Sequence, residues 1–290
     1  MMMKCKFLIE ESTFAENLNT IKDTIASLEF EYKTLKYKPF IDSQDWPYDP
    51  QSEDCIITIG SINLIRQVQR HCRWVPGTFA NWENYKFSTY CNYYKDYMLN
   101  SEFVLYPYRY LIDHFNFIRR SLHSNDLFIK SDDGRKIFAG GVFASASSMQ
   151  TKMTQCKDNT LCVIAPALQV YYEYRFFVYR DNIIAGSMYY NKDGQIDPKS
   201  FHELDEDAKY NFIKAKYYLQ GMLENVTWRP DDIFVADIGL TGYAGKFLQP
   251  RLIEINAASC SGWYGCDPNP IILALVSAAT AEWQNIFEVN

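Results

Sequence analysis

Three residues near the C-terminal end carry oxygen-bearing side chains at a spacing that could do chemistry. Within residues 231–267 an apolar run ends in Asp237, a Gly-containing turn is expected over 239–245, and a second apolar run, 252–255, carries Glu254 and leads to Asn256. Alternate side chains of a strand share a face, so Glu254 and Asn256 point together while Ile253 and Ile255 are expected to pack behind them. If the two runs pair as antiparallel neighbours, Asp237 stands beside both. Two carboxylates held together repel unless a cation lies between them. Hard oxygen donors, few in number and without His or Cys, suit Mg2+ that keeps some water and is completed by substrate phosphates. The same spacing also describes solvent-facing residues of an edge hairpin.

Other residues of interest lie upstream. The run 126–131, DLFIKS, reads as a strand with Lys130 near its end, and 132–134 as a turn into a second strand, 136–143, that carries Lys136. Two lysines on a hairpin can serve phosphates or simply keep an edge soluble. Residues 172–179 alternate so that Glu173 and Arg175 share one face while Tyr172, Tyr174 and Phe176 share the other. Arg175 has a cross-strand ion pair as its plainer reading. The loop 257–267 follows the metal strand directly. Its small residues Ser259, Ser261, Gly262 and Gly265 let backbone approach a ligand, and Trp263 with Tyr264 offers a flat wall. A turn into the C-terminal helix, with Trp263 as core, fits the same residues.

The elements that must position these groups follow in order. Strand 6–9, helix 12–27, strand 30–35, loop 39–54, strand 55–59 and helix 62–71 suggest a small α/β unit with a parallel sheet. Gly60-Ser61 is either an anion site on backbone amides or a turn with Ser61 as helix cap. The aromatic and amide-rich 76–108 reads as a helical connection and 110–121 as a helix. Strand 161–166, hairpin strands 172–179 and 183–190, a helix 206–226 capped by Asp205, and a closing helix 270–287 complete the pass.

Composition bounds the reading. The chain has 290 residues, 48% hydrophobic and 22% charged, as in an ordinary globular protein large enough for a substantial core. A net charge of −6 argues against an extended nucleic-acid surface. No apolar run reaches the ~18 residues of a membrane span, and the first ten residues do not read as a signal peptide. The eight cysteines are scattered without a CxxC pair. They are expected to be reduced thiols of a cytoplasmic protein, with Cys260 and Cys266 as a redox pair or metal ligands the alternative.

The order recovered is an α/β unit, a linker, a lysine hairpin, the strand LCVIAP, a strand with Glu173 and Arg175, a long helix, Asp237, and a strand reading LIEIN with a Gly-containing loop after it. It resembles the ATP-grasp superfamily over roughly 81–265, with the N-terminal part similar only by type. The resemblance implies a fold of class α/β and α+β, with a pre-ATP-grasp α/β domain and helical linker over 1–120 and an ATP-grasp domain over 121–290. That domain would divide into a lobe 121–190 and a metal-binding lobe 191–290.

Carried over to this sequence, the resemblance makes ATP and Mg2+ the cofactors, with Asp237, Glu254 and Asn256 as metal ligands. Lys130 matches a lysine that contacts phosphate or the adenine side, and Lys136 a second phosphate-facing residue. Val163, Ile164 and Ala165 match the hinge strand whose backbone meets the adenine edge. Glu173 joins the nucleotide-binding set, and Arg175 matches an arginine facing the phosphates. Lys130 and Arg175 are the expected catalytic residues, and Ser259, Ser261 and Trp263 the expected substrate contacts. The implied activity is a carboxylate–amine ligase acting through an acyl phosphate on small-molecule or peptide acids and amines. An ATP-binding assembly or interaction protein is the other reading the family allows. The loop 132–160 lacks the long Gly-rich cover of the carboxylase branch and looks closer to compact relatives.

Overall fold

The computed structural model describes residues 4–287 apart from 40, 42–43, 155 and 244–245. The chain opens with β1 (Lys6–Glu10), α1 (Leu18–Ser27), β2 (Glu31–Leu35), β3 (Cys55–Ile59), α2 (Ile62–His71) and β4 (Val75–Gly77). These strands form a parallel sheet of order β2-β1-β3-β4. Its central strands read as unbroken apolar runs because both faces are covered. Phe7, Ile9, Ile57 and Ile59 pack on α1 and the C-terminal helix, while Leu8 and Ile56 pack on Leu64 and Val68 of α2. Ser61 caps α2 through Leu64 N–H, so the cap reading is the one observed. The first helix begins only at Leu18, six residues later than its apolar spacing suggests.

The connection is less helical than expected. Only α3 (Phe87–Tyr94) and one further 3₁₀ turn are helical there, and β4 and β5 (Val104–Pro107) are strands. After α4 (Tyr108–Ser121) come β6 (Leu127–Ser131), β7 (Gly141–Phe143), α5 (Ala146–Lys152) and β8 (Leu161–Pro166). They build an antiparallel sheet of order β5-β8-β6-β7. Leu127 and Ile129 pack under Leu111, Phe115 and Ile118 of α4 and Met149 of α5. Period-two alternation then turns Phe128 and Lys130 to the opposite face.

The third sheet, of order β11-β10-β9-β12-β13, comprises β9 (Val170–Tyr179), β10 (Asn182–Tyr190), β11 (Ile196–Ser200), β12 (Ile233–Tyr243) and β13 (Lys246–Ala257), with α6 (Glu206–Asn225) between the third and fourth of these. Asp205 caps α6 through Ala208 N–H, and α7 (Pro268–Phe287) ends the described chain. One face, with Tyr174, Phe176, Ala236 and Ile238, packs on Phe212, Ala215, Leu219 and Met222 of α6. On the other face Phe177 and Val235 lie in the core with Ile271 and Leu275 of α7, but the sheet runs past that core. Glu173 therefore faces the space between the second and third sheets, and Arg175, on the same face, lies towards the N-terminal sheet unit.

The turn expected from residue 239 is corrected here. Residue 239 does not begin a turn, because β12 runs on to Tyr243; Gly245, where that turn was expected to end, lies outside the described residues. β9 hydrogen-bonds to β10 on one side and to β12 on the other, so a lobe boundary at 190 would cut one continuous sheet. A domain boundary at 120 would likewise part β5 and α4 from the sheet they complete.

Candidate active site

Asp237 pairs with Arg175 on one side and Glu254 on the other, placing all three on one face of the sheet. Arg175 donates from Nε to Asp237 Oδ1 and from Nη2 to Oδ2, both at 2.8 Å, and from Nη1 to the Gly262 carbonyl at 3.1 Å. Asn256 Nδ2 donates to Asp237 Oδ2 at 2.9 Å and to Glu254 Oε1 at 3.1 Å, and among the described residues no donor reaches its Oδ1. Asp237 is fully buried.

Glu254 is held by two ammonium groups. Lys136 Nζ donates to Oε1 at 2.8 Å, and Lys130 Nζ lies 3.7 Å from Oε2. Burial would raise this carboxyl, but the charges of Lys136 and Lys130 and the donated hydrogen bonds hold it below the usual carboxylate range. The Glu254 charge raises Lys136, whereas burial lowers Lys130 against the pull of the same carboxylate. Burial, together with the charges of Asp237 and Glu254, pushes Glu173 up to about 8.

Two cavities meet at this cluster. One, of about 420 Å³, lies between the second and third sheets, with Phe128, Lys130, Glu173, Ile253 and Glu254 in its walls and Tyr85, Phe87 and Tyr90 at one side. The other, of about 470 Å³, is lined by Arg175, Ser261, Gly262 and Tyr264, with residues 14–17 and Ile62 of the N-terminal sheet unit opposite. Gly134, Lys136, Tyr189, Glu254 and Asn256 belong to both walls.

Two β-bulges shape the shared wall. Asp237 pairs with Glu254 but Ile238 with Leu252, so Ile253 is an extra residue on β13; Tyr189 is likewise extra on β10 opposite Glu173 and Tyr174. An extra residue is freed from strict alternation. Ile253 therefore reaches the cavity beside Glu254 instead of packing behind it, over Gly239, where a Cβ would lie 2.7 Å from Ile253 Cδ1. Tyr189 stacks on Tyr264 at 4.3 Å, and the Arg175 guanidinium sits 5.3 and 4.8 Å from these two rings.

The expected site residues divide accordingly. Lys130, Lys136, Glu173, Arg175, Asp237, Glu254 and Asn256 are brought together. Lys136 is not on a strand: it occupies a left-handed turn position, φ 50°, and β7 starts only at Gly141. Arg175 lines the second cavity and not the first. Val163, Ile164 and Ala165 are fully buried on an interior strand, where Val163 and Ile164 pair with both β5 and β6 and Ala165 with β6, and none of the three lines either cavity. Ser259 is also fully buried, where its hydroxyl accepts from Phe79 N–H at 2.8 Å. Trp263 packs in the core edge-on to Phe177. Ser261 alone of the expected substrate contacts lines a cavity, with its hydroxyl donating to the Ala257 carbonyl. Burial pushes Cys260 and Cys266 up to about 12, so neither is a thiolate at neutral pH.

Tyr90, Phe128, Tyr189 and Ile253 were missed as site residues, whereas Tyr264, expected as part of a flat wall, does line a cavity. Phe128 was legible, being two residues before Lys130 on the same strand face. Tyr189 and Ile253 were not, because a bulge reverses the parity on which the reading rests.

A model of the ATP-grasp domain, family 2 of the R-2-K clade, matches residues 110–274, more than half of the chain. The chain belongs to the ATP-grasp family. The fold of this ATP-grasp protein is similar to that of D-alanyl-alanine synthetase A from Vibrio cholerae, with 12% identity, coverage of 98% of this chain and 99% of that one, and a TM-score of 0.56. It is also similar to N5-carboxyaminoimidazole synthetase from Staphylococcus aureus complexed with ADP, with 12% identity, coverage of 95% and 78%, and a TM-score of 0.53. The ATP-grasp ligase PsnB complexed with a minimal precursor shares 10% identity over 95% of this chain and 100% of that one, with a TM-score of 0.51. At these identities the likeness is one of fold. No curated protein matches the chain by sequence. Among the described residues no helix is long and apolar enough to cross a membrane.

Among the same residues no three His, Cys, Asp or Glu side chains group closely enough to cage a metal. Asp237 has both oxygens committed to Arg175. Glu254 Oε1 is taken by Lys136 and Asn256, which leaves Glu254 Oε2 and Asn256 Oδ1 as two hard donors on one strand face, a pair that fits a Mg2+ ion taking its remaining oxygens from water and phosphate.

Proposed function

We propose that this ATP-grasp protein is an ATP- and Mg2+-dependent ligase that joins a carboxylate to an amine through an acyl phosphate. The observation that carries this reading is the shared wall: a lysine-rich cavity with apolar sides opens, at Lys136, Glu254 and Asn256, onto a second cavity lined by a buried arginine. One suits a nucleotide and the other an anionic acceptor, and their common border is where a phosphoryl group would pass.

Phe128 and Ile253 offer flat apolar contact to a base, and Lys130 and Lys136 offset phosphate charge. Glu254 and Asn256 Oδ1 would hold Mg2+, which supplies further neutralisation of the phosphates when bound. Arg175, fixed by Asp237 and Gly262, keeps N–H groups for the acid in the second cavity. Preorganised charge of this kind, in a site shielded by Tyr189 and Tyr264, is what phosphoryl transfer requires. A carboxylate oxygen of the acid attacks the γ-phosphorus and ADP leaves; the amine then attacks the acyl carbon and phosphate leaves.

The test is ADP and phosphate release from MgATP against panels of carboxylic acids and amines. Turnover that needs both an acid and an amine supports the ligase. Nucleotide binding without turnover for any pair would assign the chain to the other reading, an ATP-binding assembly protein.

A further inference from the structure

Lys130 is buried, at 8% exposure, on the face of β6 that looks into the nucleotide-like cavity. An ammonium on a four-carbon stem is flexible and strongly hydrated, so holding one there needs specific partners. Glu254 at 3.7 Å is too distant for a hydrogen bond. The hydrogen-bonded partner is Tyr90 of α3, whose hydroxyl oxygen accepts from Lys130 Nζ at 3.0 Å. Phe87, one turn earlier, places its ring centroid 4.9 Å from the same nitrogen, and the Tyr90 ring lies 5.7 Å away. The two rings pack edge to face at 5.3 Å and are themselves buried.

Helix α3 is in turn fixed to the end of β6. Asp132, two residues after Lys130, accepts from Ser88 N–H at 2.7 Å and from the Ser88 hydroxyl at 3.0 Å, and its carbonyl accepts from Phe87 N–H at 2.9 Å. A carboxylate at a helix N-terminus is favourably placed against the helix dipole. The lysine and its aromatic seat are thus joined twice, through side chains at the cavity and through backbone at the strand end.

We infer that Tyr90 is a positioning residue of the nucleotide site, acting through Lys130: its hydroxyl, with the Phe87 ring beside it, fixes the lysine ammonium in the orientation that meets phosphate. The inference rests on reading this cavity as the nucleotide site. Tyr90 orders the lysine stem before the ligand arrives, so binding no longer bears that ordering cost. Tyr90→Phe keeps the ring and the packing and removes only the acceptor.

The experiment is a double-mutant cycle read by ADP affinity, using wild type, Tyr90→Phe, Lys130→Met and the double variant, with thermal melts of each. We expect Tyr90→Phe to weaken ADP about tenfold, the size of one hydrogen bond to a charged group. Lys130→Met should weaken it at least as much. In the Lys130→Met background the tyrosine substitution should then change nothing, since the group through which it acts is gone. A Tyr90→Phe protein that melts like wild type and binds ADP equally well overturns the inference. An equal loss in both backgrounds also overturns it, because Tyr90 would then act independently of Lys130. Wild type that fails to bind ADP overturns both this inference and the nucleotide site. Wild type that binds ADP but shows no ligase turnover removes the proposed reaction alone, and the cycle still decides the role of Tyr90.

Discussion

Arg175 and Asp237 face each other on neighbouring strands and share two hydrogen bonds of 2.8 Å, with both side chains almost wholly buried. Removing one member of a buried pair leaves the other charge without compensation, at a cost of about 3–5 kcal/mol. Asp237→Ala should therefore lower stability by that amount in denaturant melts. A free metal ligand at this position would give a far smaller loss.

The bulge at Ile253 gives a second prediction. In Gly239→Ala the new Cβ would lie 2.7 Å from Ile253 Cδ1 and 3.1 Å from Val170 Cγ1, so Ile253, which lines the nucleotide-like cavity, must shift. The substitution should weaken ADP binding about tenfold and cost about 1–3 kcal/mol in stability, as overpacking does. Isothermal titration alongside a thermal melt measures both.

Much of this site could be read from the chain. Glu254 and Asn256 share a face, Asp237 stands beside them, and Lys130 comes to the same cluster from another sheet, because alternation along a strand survives folding unless the ladder slips. Where it slips, at Tyr189 and Ile253, the face is set by a two-against-one pairing that no local pattern records. The surroundings of 163–165 were hidden for a different reason: an apolar strand reads the same whether its edge is free or paired, and β5, whose pairing covers that edge at Val163 and Ile164, lies in a stretch expected to be helical. Trp263 shows the limit of residue type, since a flat aromatic suits a core as well as a binding wall. The N-terminal parallel sheet was legible because its central strands are apolar on both faces.

Trp263 is 1% exposed, and its buried indole N–H finds no partner among the described residues. Trp263→Ala should cost about 3–5 kcal/mol by opening a cavity. Trp263→Phe should cost much less, because it also removes an unsatisfied donor. Neither should alter ADP affinity in protein that remains folded, and chemical denaturation with parallel titrations checks all three expectations.

Asp231 yields a pH dependence away from the site. Its Oδ2 accepts from Asn81 N–H and the Tyr85 hydroxyl, and burial, against those hydrogen bonds and helped by Glu282 and Asp232, pushes its carboxyl up to about 6. The folded protein thus binds this proton more tightly than the unfolded chain, whose carboxyl titrates near ~3.9. The stability that proton contributes is full below about pH 4 and is lost as pH rises through about 6. Asp231→Asn does not titrate. Its stability relative to wild type should therefore rise by up to roughly 3 kcal/mol between pH 4 and pH 7, as read from urea melts across that range. A difference that stays flat with pH would contradict this account of Asp231.

The central claim is that the two cavities exchange a phosphoryl group across Lys136, Glu254 and Asn256. Hydroxylamine, supplied in place of the amine, intercepts an acyl phosphate as a stable hydroxamate. With MgATP and an accepted acid, the account predicts hydroxamate and ADP in equal amounts, both lost in Lys130→Met. Bound nucleotide with no hydroxamate from any acid, or AMP and pyrophosphate in place of ADP and phosphate, would contradict it.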